Sequence, residues 1–168
     1  MTGTGDTWRT TTDSDDYHSA YVDCPGSTVP LAAGVEHMVP HGQAVVTDID
    51  PDLTGVRVSA YEHEDGYADD WWIRAHAVCA DPPIGWELQS SSNQTSYPTT
   101  TELAGCSAGR TAISAGADLN GAYGEVVLKS LKTFAYGDGE YAIATAGEDE
   151  TGAPDTWAFT TDVICVEE

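Results

Sequence analysis

The chain is poor in positive charge. Only 6 of its 168 residues are Lys or Arg, against 28 Asp or Glu, which leaves a formal charge of -22. Such a surface repels phosphate backbones and anionic lipid headgroups, so nucleic acid and membrane surfaces are excluded as expected partners. Long apolar runs are missing too, and none approaches the roughly 18 residues that span a bilayer. The first 16 residues, MTGTGDTWRTTTDSDD, have no apolar centre of the signal-peptide kind. The expectation is therefore either a leader already removed or release without one. Phe and Met are scarce, at two each. The apolar palette is instead Ala, Val, Tyr and Trp, which suits small β cores. No helix is signalled anywhere by hydrophobic periodicity.

Catalytic constellations are equally sparse. No GxSxG is present, so a strained serine nucleophile has no sequence support. The five histidines, His18, His37, His41, His63 and His76, all precede residue 80. His37 and His41 have the spacing of helical metal ligands, but Pro40 stands between them. No cysteine pair has the two-to-four-residue spacing common in zinc sites. The expectation is a protein that is not an enzyme and holds no cofactor.

What is present is a duplication. Setting Cys24 over Cys106 aligns CPGSTVPLAAGVEHMVPHGQAVVTDID with CSAGRTAISAGADLNGAYGEVVLKSLK without a gap. Gly34 then meets Gly116, Gly42 meets Gly124, and Glu36 meets Asp118. Setting Cys79 over Cys165 matches Glu62 with Glu148, Gly66 with Gly152, Asp69 with Asp155 and Trp71 with Trp157. The offset rises from 82 to 86, so copy two carries four extra residues, expected as a loop insertion between Thr133 and Gly139. Each copy opens and closes with a cysteine. Four cysteines permit three connectivities, and the duplication argues for Cys24 with Cys79 and Cys106 with Cys165. Disulfides in turn imply an oxidising, extracellular final location.

Alternation of apolar and polar residues reads as strands. Val56, Val58 and Ala60 form one face, followed by a turn at Asp65-Gly66 and a return through Trp71, Ile73, Ala75, Ala77 and Cys79. Copy two repeats this hairpin from Ala142 to Cys165. Further strands are predicted near 18–23, 29–37, 43–49, 99–105, 111–118 and 125–131, about five per copy. The expected architecture is all-β: two tandem homologous antiparallel modules, each a β-sandwich or barrel with one disulfide. Their expected bounds are 17–81 and 99–168, with 82–98 as linker and 1–16 as a polar N-terminal arm.

Two sets of candidate binding residues follow. At the acidic hairpin tips, Glu62, Glu64, Asp65 and Asp69, with Glu148, Glu150 and Asp155 in copy two, supply oxygen ligands of the kind Ca²⁺ takes, although EF-hand spacing is absent. The competing reading is a solvated strand end. On the opposite face of the returning strand from the cysteines, Trp72 lies beside Arg74 and His76, a pattern suited to a protein partner or a sugar ring. Copy two has Ala158, Thr160 and Asp162 there, and cover by Trp86 is the alternative. Trp8 in the N-terminal arm is a further docking candidate.

The phrases GVRVSAYEHEDGYADDWWIRAHAVCA and TAGEDETGAPDTWAFTTDVICV, with their opening cysteines, resemble a Cys-bracketed β-repeat of uncharacterised actinobacterial secreted proteins and of phage tail-associated proteins. The resemblance covers residues 17–167. Copy two departs from it with Ala146-Gly147-Glu148 in place of the AYE phrase. It implies an extracellular setting, secreted or on a virion or particle surface, and identifies the module better than its activity. Rigid disulfide-stapled β modules without a catalytic constellation suit a structural or display role through protein partners or a homo-oligomer, which is the expected function. The alternative function is lectin-like binding of cell-surface glycan, with Ca²⁺ as a possible aid.

Overall fold

In a computed structural model, residues 7–10, 12–38, 43–121, 123–153 and 155–167 are described, the side chains of residues 7–9 and 38 excepted. Among them are twelve strands and no helix. These are β1 (Thr7–Arg9), β2 (Tyr17–Asp23), β3 (Val29–Met38), β4 (Ala44–Pro51), β5 (Gly55–Glu62), β6 (Trp72–Ala80), β7 (Glu87–Thr95), β8 (Thr99–Gly105), β9 (Arg110–Asn120), β10 (Val126–Tyr136), β11 (Gly139–Glu148) and β12 (Trp157–Glu167). They form three sheets, ordered β1-β6-β3, β10-β11-β8 and β2-β5-β4-β9-β12-β7, none closed into a barrel. The fold is all-β and antiparallel, as the alternation implied.

The duplication is visible in this topology. The neighbours β2-β5-β4 correspond to β8-β11-β10, and β1-β6-β3 correspond to β7-β12-β9. Even the irregularities repeat. One register shift skips Thr47 in β4 and Lys129 in β10, and another skips Leu31 in β3 and Ile113 in β9, both pairs at the repeat offset of 82. A bulge needs a particular local bend. Its recurrence at equivalent positions ties the sequence repeat to the backbone.

Each copy buries its own core. Trp71, just before β6, and Ile73, Ala75, Ala77 and Cys79 within it point inward, packing with Val56, Val58 and Ala60 of β5. Trp157 and Phe159 pack with Ala144 and Ala146 in copy two, while Val163 and Cys165 pack with Ala104, Ala112 and Ala142. The two disulfides are Cys24–Cys79 and Cys106–Cys165, with no free cysteine among the described residues. They place the folded chain in an oxidising environment.

Two details differ from the sequence reading. The four extra residues of copy two lengthen a hairpin instead of making a loop. Strands β10 and β11 pair as far as Tyr136↔Gly139, and Phe134 stacks on Tyr141 with ring centroids 5.5 Å apart. Within the segment 82–98, Glu87–Thr95 form β7, paired along its length with β12. Its sequence, ELQSSSNQT, lacks apolar alternation because β7 is an edge strand whose faces stay largely in solvent. Trp86, just before it, donates its indole N–H to Pro30 O in copy one, 3.0 Å away.

The bridges span 55 and 59 residues of sequence. In the chain-entropy account a loop of that length is worth about 4 kcal/mol to the folded state. Thermal unfolding with and without reductant checks this: a large drop in Tm is expected, and an unchanged Tm contradicts the disulfides' role.

Candidate functional site

The six-stranded sheet crosses the boundary between the copies at one place. Strand β4 of copy one pairs with β9 of copy two through Asp48↔Asp118 and Ile49↔Ala117. Close approach there depends on glycine. A Cβ on Gly116 would collide with Pro51 and with Ile49 O, and one on Gly124 with Glu62 O. Gly124 also has φ +91°, the left-handed region that glycine enters without strain. Its repeat partner Gly42 lies outside the described residues. Gly34, the partner of Gly116, has nothing nearer than 3.8 Å from an added Cβ.

The outer face of this sheet carries a cleft of about 310 Å³ lined by residues of both copies. Copy one contributes Tyr17, Asp48, Arg57, Ser59 and Tyr61, and copy two contributes Asp118, Leu119, Asn120, Gly121 and Tyr123. The strand alternation that turns Val58 and Ala60 to the core puts Arg57, Ser59 and Tyr61 on the opposite face, where Ser59 is itself covered. Three phenol rings meet here. Tyr17 and Tyr61 have centroids 4.5 Å apart, and Tyr123 stands edge-on to Tyr61 at 5.9 Å. Tyr123 is 70% exposed and has a positive φ of 41°, uncommon for a tyrosine. Tyr17 is exposed as well, and its hydroxyl donates to Ser59 Oγ at 3.2 Å. Burial, then the neighbouring Tyr17 phenol and the Asp48 carboxylate, raises the Tyr61 pKa, so its phenol keeps its proton throughout the neutral range.

The polar side of the cleft is dominated by acid. Asp48 Oδ1 accepts the Leu119 N–H at 3.2 Å, and its other oxygen accepts from the Thr47 hydroxyl at 3.2 Å. Asp118 lies directly across from it. Burial, the Asp48 charge and a hydrogen bond with Asp48 push the Asp118 carboxyl up to about 7. Two carboxylates face to face repel, so the pair holds one proton well above the usual range. Arg57, the cation of the cleft, is paired with Asp50.

A second hollow of about 320 Å³ adjoins the first and shares Tyr61 and Tyr123 with it. Asp16, Glu62, His63, Glu64 and Gly66 complete its lining. Here too the copies touch, with His63 Nε2 3.0 Å from Asp149 Oδ2. Burial opposes the charge on Asp149, yet hydrogen bonds from Thr151 and Gly152 and the nearby His63 hold its carboxyl below the ordinary value.

The acidic tips proposed as cation ligands are not gathered into a site. Among the described residues no group of three or more His, Cys, Asp or Glu side chains is placed to hold a metal ion. Glu62 turns inward: it is buried, accepts the Trp71 indole N–H at 2.9 Å and accepts the Tyr67 backbone N–H at 2.8 Å. Glu148 repeats the contact, accepting from the Trp157 indole at 3.4 Å. The repeated Glu and Trp are therefore partners, and the carboxylate satisfies a buried donor. Glu64, Asp65, Asp69, Glu150 and Asp155 remain exposed around the turns.

Trp72, Arg74 and His76 do come together on the outer face of β6. The Arg74 guanidinium lies 4.9 Å from the Trp72 ring centroid, and Glu36 accepts from Arg74 at 2.6 Å and lies 3.3 Å from His76 Nε2. The Trp8 backbone pairs with Ala75 beside them, while its side chain lies outside the described residues. The tyrosine cleft was missed from sequence. Its one signal was copy-specific outward tyrosines at Tyr17 and Tyr61, two residues of a face that alternation assigns to solvent.

No protein-family model matches the chain, and no curated protein aligns with it significantly.

Two predictions follow from these contacts. Glu62→Ala removes the acceptor of the Tyr67 amide and one of two acceptors of the Trp71 indole, which keeps Asp15 O at 3.1 Å, and is expected to cost about 1–2 kcal/mol, read by chemical denaturation. Asp118 has a raised folded pKa, so the folded state binds that proton more tightly than the unfolded chain does. Its contribution to stability is present at low pH and is lost as pH rises from about 4 to about 7. Asp118→Asn is thus expected to raise Tm at pH 8 by several degrees relative to its effect at pH 4. A gain that is the same at both values contradicts the shared proton.

Proposed function

We propose that this chain is a non-enzymatic extracellular recognition protein that binds carbohydrate in the cleft between its two copies. The observation that carries this reading is the meeting of Tyr17, Tyr61 and Tyr123 with Asp48, Asp118 and Asn120 in one open hollow. Phenol rings offer apolar faces to the C–H surfaces of a sugar ring, and their hydroxyls stay available for hydrogen bonds. Carboxylates and an amide beside them accept and donate to sugar hydroxyls, the small number of placed polar groups that gives a pocket its specificity. The acidic lining disfavours anionic ligands. The disulfides agree with an extracellular site of action, and the resemblance to secreted actinobacterial and phage tail-associated repeats suggests a cell surface or a particle as its setting.

A structural role in a larger assembly is the second reading, and one observation favours it. Strand β7 ends the six-stranded sheet with no Lys or Pro along Glu87–Thr95, leaving it without the residues that commonly block strand addition at an edge. Protein partners or further copies of the chain are then the ligands.

A glycan array probed with the intact chain and with Tyr123→Ala tests the first reading. Binding that falls at least tenfold in the variant is expected. No binding to any glycan, together with a defined oligomer in light scattering, favours the assembly instead.

A further inference from the structure

The two hollows are not separate features. Tyr61 from copy one and Tyr123 from copy two belong to the walls of both, so the pair forms a ridge with a hollow on either side. Each hollow, at about 310 and 320 Å³, lies at the low end of the range for small-ligand sites. A compact ligand seated in one leaves the other empty and one side of the ridge unused. Both hollows are open to solvent, and Tyr123, in the wall of each, is 70% exposed.

The ridge is held in place from both sides. Gly124, next to Tyr123, rests against the Glu62 backbone at the end of β5, so the copy-two loop is seated on copy one. Beyond the ridge His63, in the wall of the second hollow, contacts Asp149, a second link between the copies. A preformed surface of this kind has little ordering left to do when a ligand arrives.

Resting on the carbohydrate reading above, we infer that the two hollows are consecutive parts of one groove for an unbranched, uncharged oligosaccharide longer than a disaccharide. The chain lies across the Tyr61–Tyr123 ridge with sugar rings on both sides. The first hollow presents Asp48, Asp118 and Asn120 to its hydroxyls, and the second presents Asp16 and Glu64. The carboxylates on both sides select against uronic or sulfated chains.

Titration calorimetry at physiological salt tests this with ladders of one to six rings: β-1,4-linked glucose, β-1,4-linked mannose, β-1,4-linked N-acetylglucosamine and α-1,4-linked glucose, with oligogalacturonate as the charged series. Affinity for at least one neutral ladder is expected to rise tenfold or more between two and four rings and then level off. Tyr17→Ala, confined to the first hollow, and Glu64→Ala, confined to the second, are each expected to flatten that rise. Both residues are exposed or partly so, and the far-ultraviolet circular dichroism of the variants reports that folding is kept. A disaccharide bound as tightly as a hexasaccharide overturns the groove and leaves carbohydrate binding standing. Tighter binding of oligogalacturonate than of every neutral ladder also overturns it. If no rung of any series binds, the groove and the carbohydrate reading fall together.

Discussion

The pairing of β4 with β9 is the contact on which the rest of the molecule depends. It is short, with two residue pairs in register, and one of these sets Asp48 against Asp118. Like charges directly opposite in a sheet are unfavourable, and here the cost is moderated by the raised Asp118 pKa, which favours its protonated form, and by the Leu119 N–H donated to Asp48. Gly116 allows Pro51 to close over the joint. Without this pairing the two copies share no sheet. With it, three strands of one copy and three of the other share a single sheet, and the tyrosine cleft exists on its outer face.

The two copies agree where they must fold and differ where they meet. The disulfide, the bulges at Thr47 and Lys129, and the Trp–Glu hydrogen bond occur in both. The divergence lies in equivalent residues given different surroundings. Glu36 of copy one faces Arg74 and His76 on an outer strand, while its counterpart Asp118 faces another carboxylate at the joint. Gly34 sits in open surroundings, while Gly116 is pressed by its neighbour. Duplication thus supplied two similar units, and a few substitutions at one edge made an asymmetric pair with one cleft.

Local physics explains what the sequence revealed and what it concealed. Alternation of Trp71, Ile73, Ala75, Ala77 and Cys79 identified a buried strand face because one side of the sheet is dry and the other wet. The repeat then fixed which cysteines pair. Strand β7 escaped notice because an edge strand needs no apolar side, and SSSNQT carries none. Glu62 read as a solvated tip residue or a cation ligand, since nothing local shows that the Trp71 indole needs an acceptor. The cleft was out of reach for another reason: Tyr17, Tyr61 and Tyr123 are far apart in sequence; β2–β5 pairing sets Tyr17 opposite Tyr61, and the joint between the copies brings Tyr123 to them. Trp72 and Arg74 were legible as a pair because they sit two apart on one strand.

The most direct measurement is the backbone amide NMR spectrum of the isotope-labelled chain during titration with a neutral oligosaccharide. The account predicts shifts that cluster at Tyr17 and Tyr61 in one copy and at Asp118, Asn120 and Tyr123 in the other, rising together along one binding curve. Shifts confined to the outer face of β6 around Trp72, or a spectrum that does not move, would contradict it.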